Sequence, residues 1–144
     1  MKSYFPDINV WLALTYRGHQ HHAIAAVWFE PLEAEQAVFC RFSQLSFLRL
    51  LTHPAVMREE VKTQQEAWNV YDRLSSDARV AFYNETQPER AESALRRLTS
   101  SSRFAPQQWP DAYLAAFASM AGLTLVTLDR GLGKLAGKEC LVLQ

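Results

Sequence analysis

The fold is decided by residues 111–129, which read DAYLAAFASMAGLTLVTLD. The first eleven residues predict an alanine-rich helix, and Gly122 predicts its end because glycine readily takes the left-handed conformation after a helix. Residues 123–128 are leucine, valine and threonine, a composition typical of a buried strand. A helix that leads directly into such a strand is part of a βαβ unit, so this stretch predicts a mostly parallel α/β sheet.

The same alternation of strand and helix extends outward through the rest of the chain. Apolar runs predict further strands at 4–7, 37–40, 80–83 and 139–143, and helical spacing predicts helices at 10–16, 22–35, 43–52, 63–74 and 89–98. Pro31 predicts a kink or a break in the second of these helices. Gly131 and Gly133 predict the start of a turn or a short helix. Because no linker or repeat interrupts the pattern, we predict one domain over residues 1–144.

Composition excludes several classes of protein. The 15 basic and 15 acidic residues give a net charge of zero, which excludes a protein that coats nucleic acid by bulk positive charge and favours self-association. No apolar run approaches the roughly 20 residues of a membrane span, and residues 1–7 lack the apolar segment of a signal peptide. We expect a cytoplasmic protein, without membrane contact, in which Cys40 and Cys140 are free thiols in strands.

Three aspartates stand where a parallel sheet places its chemistry. Asp7 follows the first strand, Asp129 follows the strand at 123–128, and Asp111 opens the helix before that strand. Since ligands bind outside the carboxyl ends of parallel strands, the three side chains are expected at one edge. Carboxylates held together repel one another unless a cation offsets them, and oxygen ligands favour Mg²⁺ or Mn²⁺. Each aspartate alone is also an ordinary turn or helix-start residue.

Two polar neighbours have both a structural and a functional interpretation. Asn9 is expected to cap the helix after the first strand, and the same residue could orient Asp7. Thr127 lies two residues before Asp129 and therefore shares its face of the strand. It is either a support for the carboxylates or an ordinary strand residue.

Longer motifs carry a resemblance to a known family. Asp7-x-Asn9-x-Trp11-Leu12, WPDAYLAA at 109–116 and LVTLDRG at 125–131 resemble the PIN domain. HHAIAAVW at 21–28 and FSQLSFLRLLTHP at 42–54 are similar to a subgroup of the VapC-type toxins of bacterial toxin–antitoxin pairs. The resemblance covers about residues 3–143.

The resemblance implies a PIN-like three-layer α/β/α sandwich with a mostly parallel sheet of four or five strands. It also implies an endoribonuclease that uses Mg²⁺ or Mn²⁺, with Asp7, Asp111 and Asp129 as metal ligands and catalytic residues. Gln44 falls at a further catalytic position where many PIN domains carry Glu, and the lost charge argues against a second metal. The implied partners are an RNA substrate and a cognate antitoxin.

The residues themselves suggest further contacts. Four basic residues near the expected edge are candidates to bind RNA phosphates, although most such residues only face solvent: Arg41, Arg49, Arg130 and Lys134. The zero net charge and the apolar residues Trp68, Tyr71 and Leu74 along one helix predict a homodimer that uses helix surfaces.

Two other functions remain open at this stage. A PIN-like module that binds RNA or protein without catalysis would also explain Gln44. An enzyme that forms an aspartyl-phosphate would also place an Asp after its first strand, but Asn9 and Arg130 stand where such enzymes need Asp and Lys. The histidines at 19–22 lack nearby cysteines, so a structural zinc site is disfavoured.

Overall fold

Five short parallel strands form one sheet in the computed structural model, which describes residues 2–144. The strands are β1 (Tyr4–Pro6), β2 (Ala37–Phe39), β3 (Val80–Phe82), β4 (Thr124–Thr127) and β5 (Cys140–Val142), in the spatial order β3-β2-β1-β4-β5. Every neighbouring pair is parallel, so all five carboxyl ends meet at the same edge of the sheet. The predicted α/β class is confirmed.

Eight α-helices connect and cover these strands in the described part of the chain. They are α1 (Ile8–Thr15), α2 (His22–Phe29), α3 (Arg41–Leu51), α4 (Pro54–Met57), α5 (Gln64–Ser75), α6 (Pro88–Leu98), α7 (Gln108–Ala121) and α8 (Arg130–Ala136). Short 3₁₀ turns follow α4 at Arg58–Glu60 and α8 at Gly137–Glu139.

Alternation along the strands divides the core into two layers. Phe5 packs on Phe117 of α7, with ring centroids 4.9 Å apart, in a cluster that also holds Val38. Phe39, one position along from Val38 on β2, points to the other face and stacks on Trp11 of α1 at 3.9 Å. Because successive strand residues face opposite sides, helices are needed on both faces, and the result is a three-layer sandwich.

The structure corrects several predicted boundaries. Helix α2 ends at Phe29 rather than at residue 35, since Pro31 cannot donate the main-chain hydrogen bond that would extend it. Helix α7 starts at Gln108, one turn before Asp111, because Pro110 is tolerated in a first turn, whose N–H groups have no helical partner anyway. Of the turn or short helix expected at Gly131–Gly133, the structure has the helix, which is α8. Helix α4 was not predicted.

Other predicted features agree with the structure. Gly122 ends α7 in the left-handed conformation, with a φ of 68°. Cys40 and Cys140 are free thiols, with Cys40 buried just after β2 and Cys140 half-buried in β5. No helix within residues 2–144 combines the length and the apolar character that crossing a membrane requires.

Candidate active site

Asp7 occupies the carboxyl end of the central strand. It follows β1 directly, and its main-chain N–H donates to the carbonyl of Val126, which continues the ladder with β4. Its side chain is only 6% exposed, and Oδ2 accepts a hydrogen bond of 2.7 Å from the buried Thr127 hydroxyl. Burial raises the pKa of Asp7 most, and the Asp129 charge adds to that rise, while the bond from Thr127 acts against it.

Asp7 also caps helix α1, which corrects the expected role of Asn9. Asp7 Oδ1 accepts from the Asn9 main-chain N–H at 3.4 Å, and Asp7 has the extended backbone of a residue that precedes a helix. Asn9 is therefore the second residue of the helix, and its side chain is exposed. The contact between Asn9 and the carboxylate is made by the main chain.

Asp129 lies beyond the neighbouring strand and is linked to Asp7 through Thr127. Its main-chain N–H donates to Thr127 Oγ1 at 3.0 Å, and the same hydroxyl donates to Asp7. Asp129 also caps α8, because its Oδ1 accepts from the N–H of Gly131 at 2.8 Å. The side chain is exposed, so a carboxylate oxygen faces solvent at the edge.

Asp111 approaches the same edge from helix α7. This helix ends just before β4 begins, so it runs antiparallel to the strand and its first turns lie at the carboxyl edge. Burial raises the pKa of Asp111 most, and the charges of Asp7 and Asp129 raise it further. The three aspartates are therefore within electrostatic reach of one another.

The chemistry of this group fits a hard divalent cation. Its donors are carboxylate oxygens, which Mg²⁺ and Mn²⁺ prefer. No basic side chain contributes to the pKa shifts of Asp7 or Asp111, so their negative charge is not offset by the protein. Within residues 2–144, no three acidic, histidine or cysteine side chains are drawn together tightly enough to hold an ion as they stand. An ion would have to draw the carboxylates inward against their mutual repulsion.

Gln44 is buried, and its side chain is bonded to Arg41. It lies in the second turn of α3, is 5% exposed, and its Oε1 accepts a 2.5 Å hydrogen bond from Arg41. The amide also lies beside the Tyr71 hydroxyl, where it lowers the pKa of Tyr71 against the larger raising effect of burial. The observed contacts make Gln44 a support for Arg41.

The candidate phosphate-binding residues separate into two groups. Arg41 and Arg130 begin α3 and α8, and both helices start at the carboxyl edge. Lys134 lies one turn further along α8, about 6 Å from Arg130 along the axis. Arg49 is eight residues beyond Arg41 on α3, which places it about 12 Å toward the opposite edge. The structure therefore does not bring Arg49 to the carboxylates.

Glu85 is a residue of this edge that the sequence analysis missed. It follows β3, and its Oε1 accepts a 2.9 Å hydrogen bond from the hydroxyl of Tyr113, two residues after Asp111 on α7. Burial and then the Glu85 carboxylate strongly raise the pKa of Tyr113, so the hydroxyl stays protonated. The signal was available, since Glu85 is also an acidic residue shortly after a predicted strand.

Comparisons with known proteins give a consistent result. The family model described as the PIN domain matches residues 4–138. Ribonuclease VapC41 of Mycobacterium tuberculosis is 37% identical over 137 residues, which cover 92% of this chain and 93% of the relative. Two solved structures share the fold. VapC20 of M. tuberculosis, a toxin that cleaves the sarcin–ricin loop, has a TM-score of 0.67 and 18% identity over 95% of this chain and 98% of its own. VapBC2 of Rickettsia felis, bound to a DNA fragment from its promoter, has a TM-score of 0.66 and 10% identity over 98% of each chain.

Proposed function

Because the chain belongs to the PIN domain family, we propose that it is a metal-dependent endoribonuclease and the toxin of a toxin–antitoxin pair. The observation that carries this proposal is the group of Asp7, Asp111 and Asp129 at one edge of the sheet, where neighbouring carboxylate charges raise the pKa of Asp7 and of Asp111 and no basic side chain opposes them. The names of the relatives supply the substrate class and the antitoxin partner.

The three aspartates would hold one Mg²⁺ or Mn²⁺ ion. When bound, such an ion lowers the pKa of a water molecule and offsets the charge that develops on the phosphate under attack. Thr127 fixes the orientation of Asp7 by donating to one carboxylate oxygen, and the Asp129 main chain fixes Thr127 in turn. Arg41 and Arg130 stand at the rim of this edge, where they can bind RNA phosphates on either side of the cleaved bond.

Gln44 affects how many ions the site can hold. A glutamine supplies no negative charge, and here its oxygen already accepts from Arg41. We therefore propose one catalytic ion, with Gln44 as the residue that orients Arg41 toward the substrate.

The proposal predicts that the purified protein cleaves RNA only with a divalent cation. A titration with MnCl₂ and with MgCl₂ should restore cleavage after EDTA treatment, and CaCl₂ is the matched control for ionic strength. Cleavage that continues in EDTA would contradict the metal-dependent mechanism. A cognate antitoxin should bind the protein and inhibit cleavage, which co-expression, co-purification and a cleavage assay of the complex test.

A further inference from the structure

Two large aromatic side chains are exposed where the chain passes from α6 to α7, one on the connecting segment and one in the first turn of α7. Phe104 is fully exposed, and Trp109, the second residue of α7, is 57% exposed. Single exposed apolar residues are ordinary on protein surfaces, but two large aromatic side chains exposed within six residues of the chain form a candidate contact surface.

This segment lies beside the three aspartates. Helices α6 and α7 pack against each other along their length, and the connection between them sits at the end of α7 that reaches the carboxyl edge. Trp109 and Asp111 both belong to the first turn of α7, about 3 Å apart along the helix axis and on different sides of it. An RNA strand bound at the aspartates that crosses the start of α7 would reach Trp109.

The charge around this segment differs from that of the whole chain. Residues 93–110 contain three arginines and no aspartate or glutamate, whereas the whole chain has equal numbers of basic and acidic residues. Arg96 is paired with Glu92 at 2.9 Å, while Arg97 and Arg103 are exposed beyond it. The segment is thus locally positive, as contact with a phosphate backbone requires.

Polar groups adjoin the exposed indole ring. A small cleft of about 90 Å³ beside Trp109 is lined by Ser101, Arg103 and Gln108 among others. These side chains offer hydrogen-bond donors and acceptors next to an aromatic surface. An aromatic face for stacking with polar groups at its margin is the arrangement by which proteins bind unpaired bases.

We propose that Arg97, Arg103, Phe104 and Trp109, together called the aromatic rim, bind single-stranded RNA next to the bond that is cleaved. Bases stack on Phe104 and Trp109, and the two arginines bind the phosphates that link them. This deepens the proposed function and rests on it for the nature of the substrate. A duplex is excluded as the ligand of the rim, since its bases are already stacked on each other.

The test is RNA binding in EDTA, so that cleavage does not interfere. A fluorescently labelled 12-nucleotide single-stranded RNA and a duplex of the same length serve as probes, and anisotropy gives the affinity. The double variant Phe104→Leu/Trp109→Leu keeps apolar bulk but removes both rings. The matched double variant Phe104→Tyr/Trp109→Tyr keeps a ring at each position.

Base stacking on an aromatic side chain contributes about 1–3 kcal/mol, so the leucine variant should bind the single strand at least about tenfold more weakly. The tyrosine variant should stay within about threefold of the wild type. Arg103→Ala should reduce the slope of log affinity against log salt concentration by about one unit, which corresponds to one lost phosphate contact. Arg90→Ala, at the other end of α6, is the control and should leave that slope unchanged.

Three results would overturn the proposal. The leucine variant could bind as tightly as the wild type, or the tyrosine variant could lose as much affinity as the leucine variant, and either would exclude stacking. If the leucine variant binds RNA with full affinity but is no longer inhibited by the antitoxin, the aromatic rim binds a protein partner instead of RNA. If the wild type binds RNA through the aromatic rim but does not cleave it with Mn²⁺, RNA binding by the rim is supported and the proposed nuclease activity is contradicted. The failure of one proposal can therefore be distinguished from the failure of the other.

Discussion

Burial of the Asp7 carboxyl group makes the stability of the folded protein depend on pH. The pKa of Asp7 is raised chiefly by burial, so this carboxyl group ionises at a higher pH in the folded, metal-free protein than in the unfolded chain. In the unfolded chain the carboxyl group ionises near its ordinary pKa of about 3.9. The contribution of Asp7 to the free energy of unfolding is therefore fully present below about pH 4. It is lost as the pH rises through the raised pKa that Asp7 has in the folded protein.

Asp7→Asn should remove this pH-dependent cost. Asn is a good helix cap, so its one oxygen can still accept from the Asn9 N–H, and its amide NH₂ then faces Thr127, whose hydroxyl oxygen can accept instead. In EDTA at pH 7, we expect a melting temperature equal to or above that of the wild type, with the difference shrinking toward pH 4. Thermal melts of both proteins between pH 4 and 7 test this. A lower melting temperature for the variant at pH 7 would mean that the charge of Asp7 stabilises the fold.

Thr127 should matter for the metal through its bond to Asp7. Thr127→Val keeps the shape but removes the hydroxyl, and we expect metal affinity to fall about 10- to 100-fold, the usual effect of losing such a supporting group. Thr127→Ser keeps the hydroxyl and should retain most of the affinity. Isothermal titration with MnCl₂ measures both. Equal affinities in the valine and serine variants would assign Thr127 to strand packing alone.

Among the elements, helix α8, which Asp129 caps, is held close to β5. A Cβ atom added at Gly133 would lie 2.6 Å from Val142 Cγ2, so the two elements approach too closely for any side chain. Gly133→Ala should push α8 away from the sheet and destabilise the protein by about 1–3 kcal/mol.

Gly131→Ala is the matched control for this contact. It lies in the same helix, and its Cβ would meet only the flexible Asp129 side chain at 3.2 Å. Because alanine is a better helix former than glycine, the control should be neutral or stabilising. Urea denaturation of both variants measures the difference. Equal stabilities would show that α8 can move without cost.

The elements were predictable to different degrees. The strands before Asp7 and Asp129 could be predicted because buried parallel strands are continuous apolar runs. The start of α7 was misplaced because proline was interpreted as preceding a helix, whereas Pro110 lies within its first turn. Both choices are locally compatible with the sequence, and packing against α6 and the sheet decides between them.

Contacts between distant elements could not be predicted in the same way. The Arg41–Gln44 pair follows from its spacing of three residues on a helix and could have been foreseen. The Tyr113–Glu85 bond joins residues 28 positions apart, and it depends on the path of the segment after β3. No local pattern in the sequence encodes that path.

At the scale of the whole molecule, the predicted dimer surface needs correction. Tyr71 and Leu74 pack in the core against the sheet rather than lining a surface, whereas Trp68 is 46% exposed. With Leu45 of α3, which is 55% exposed, Trp68 borders a groove of about 400 Å³ between α3 and α5. The homodimer itself stays a prediction, and this groove is the surface that we expect it to use.

Leu45→Asp should weaken that dimer at least tenfold, since a charge would be buried at an apolar contact. Val27→Asp is the control, because Val27 is 75% exposed on α2 and belongs to a different surface. Sedimentation at micromolar concentrations measures the association of the wild type and both variants. A wild type that sediments as a strict monomer would contradict the dimer.

We propose that three aspartates at one edge of the sheet hold the ion that makes this protein a ribonuclease. The most direct test is RNA cleavage against Mn²⁺ concentration for the wild type, Asp7→Asn and Asp111→Asn, with the exposed Asp72→Asn of α5 as control. We predict full activity in the wild type and in Asp72→Asn, and no cleavage by the other two variants although they remain folded. Wild-type activity in Asp7→Asn or Asp111→Asn would contradict the claim, because the carboxylates would then be structural.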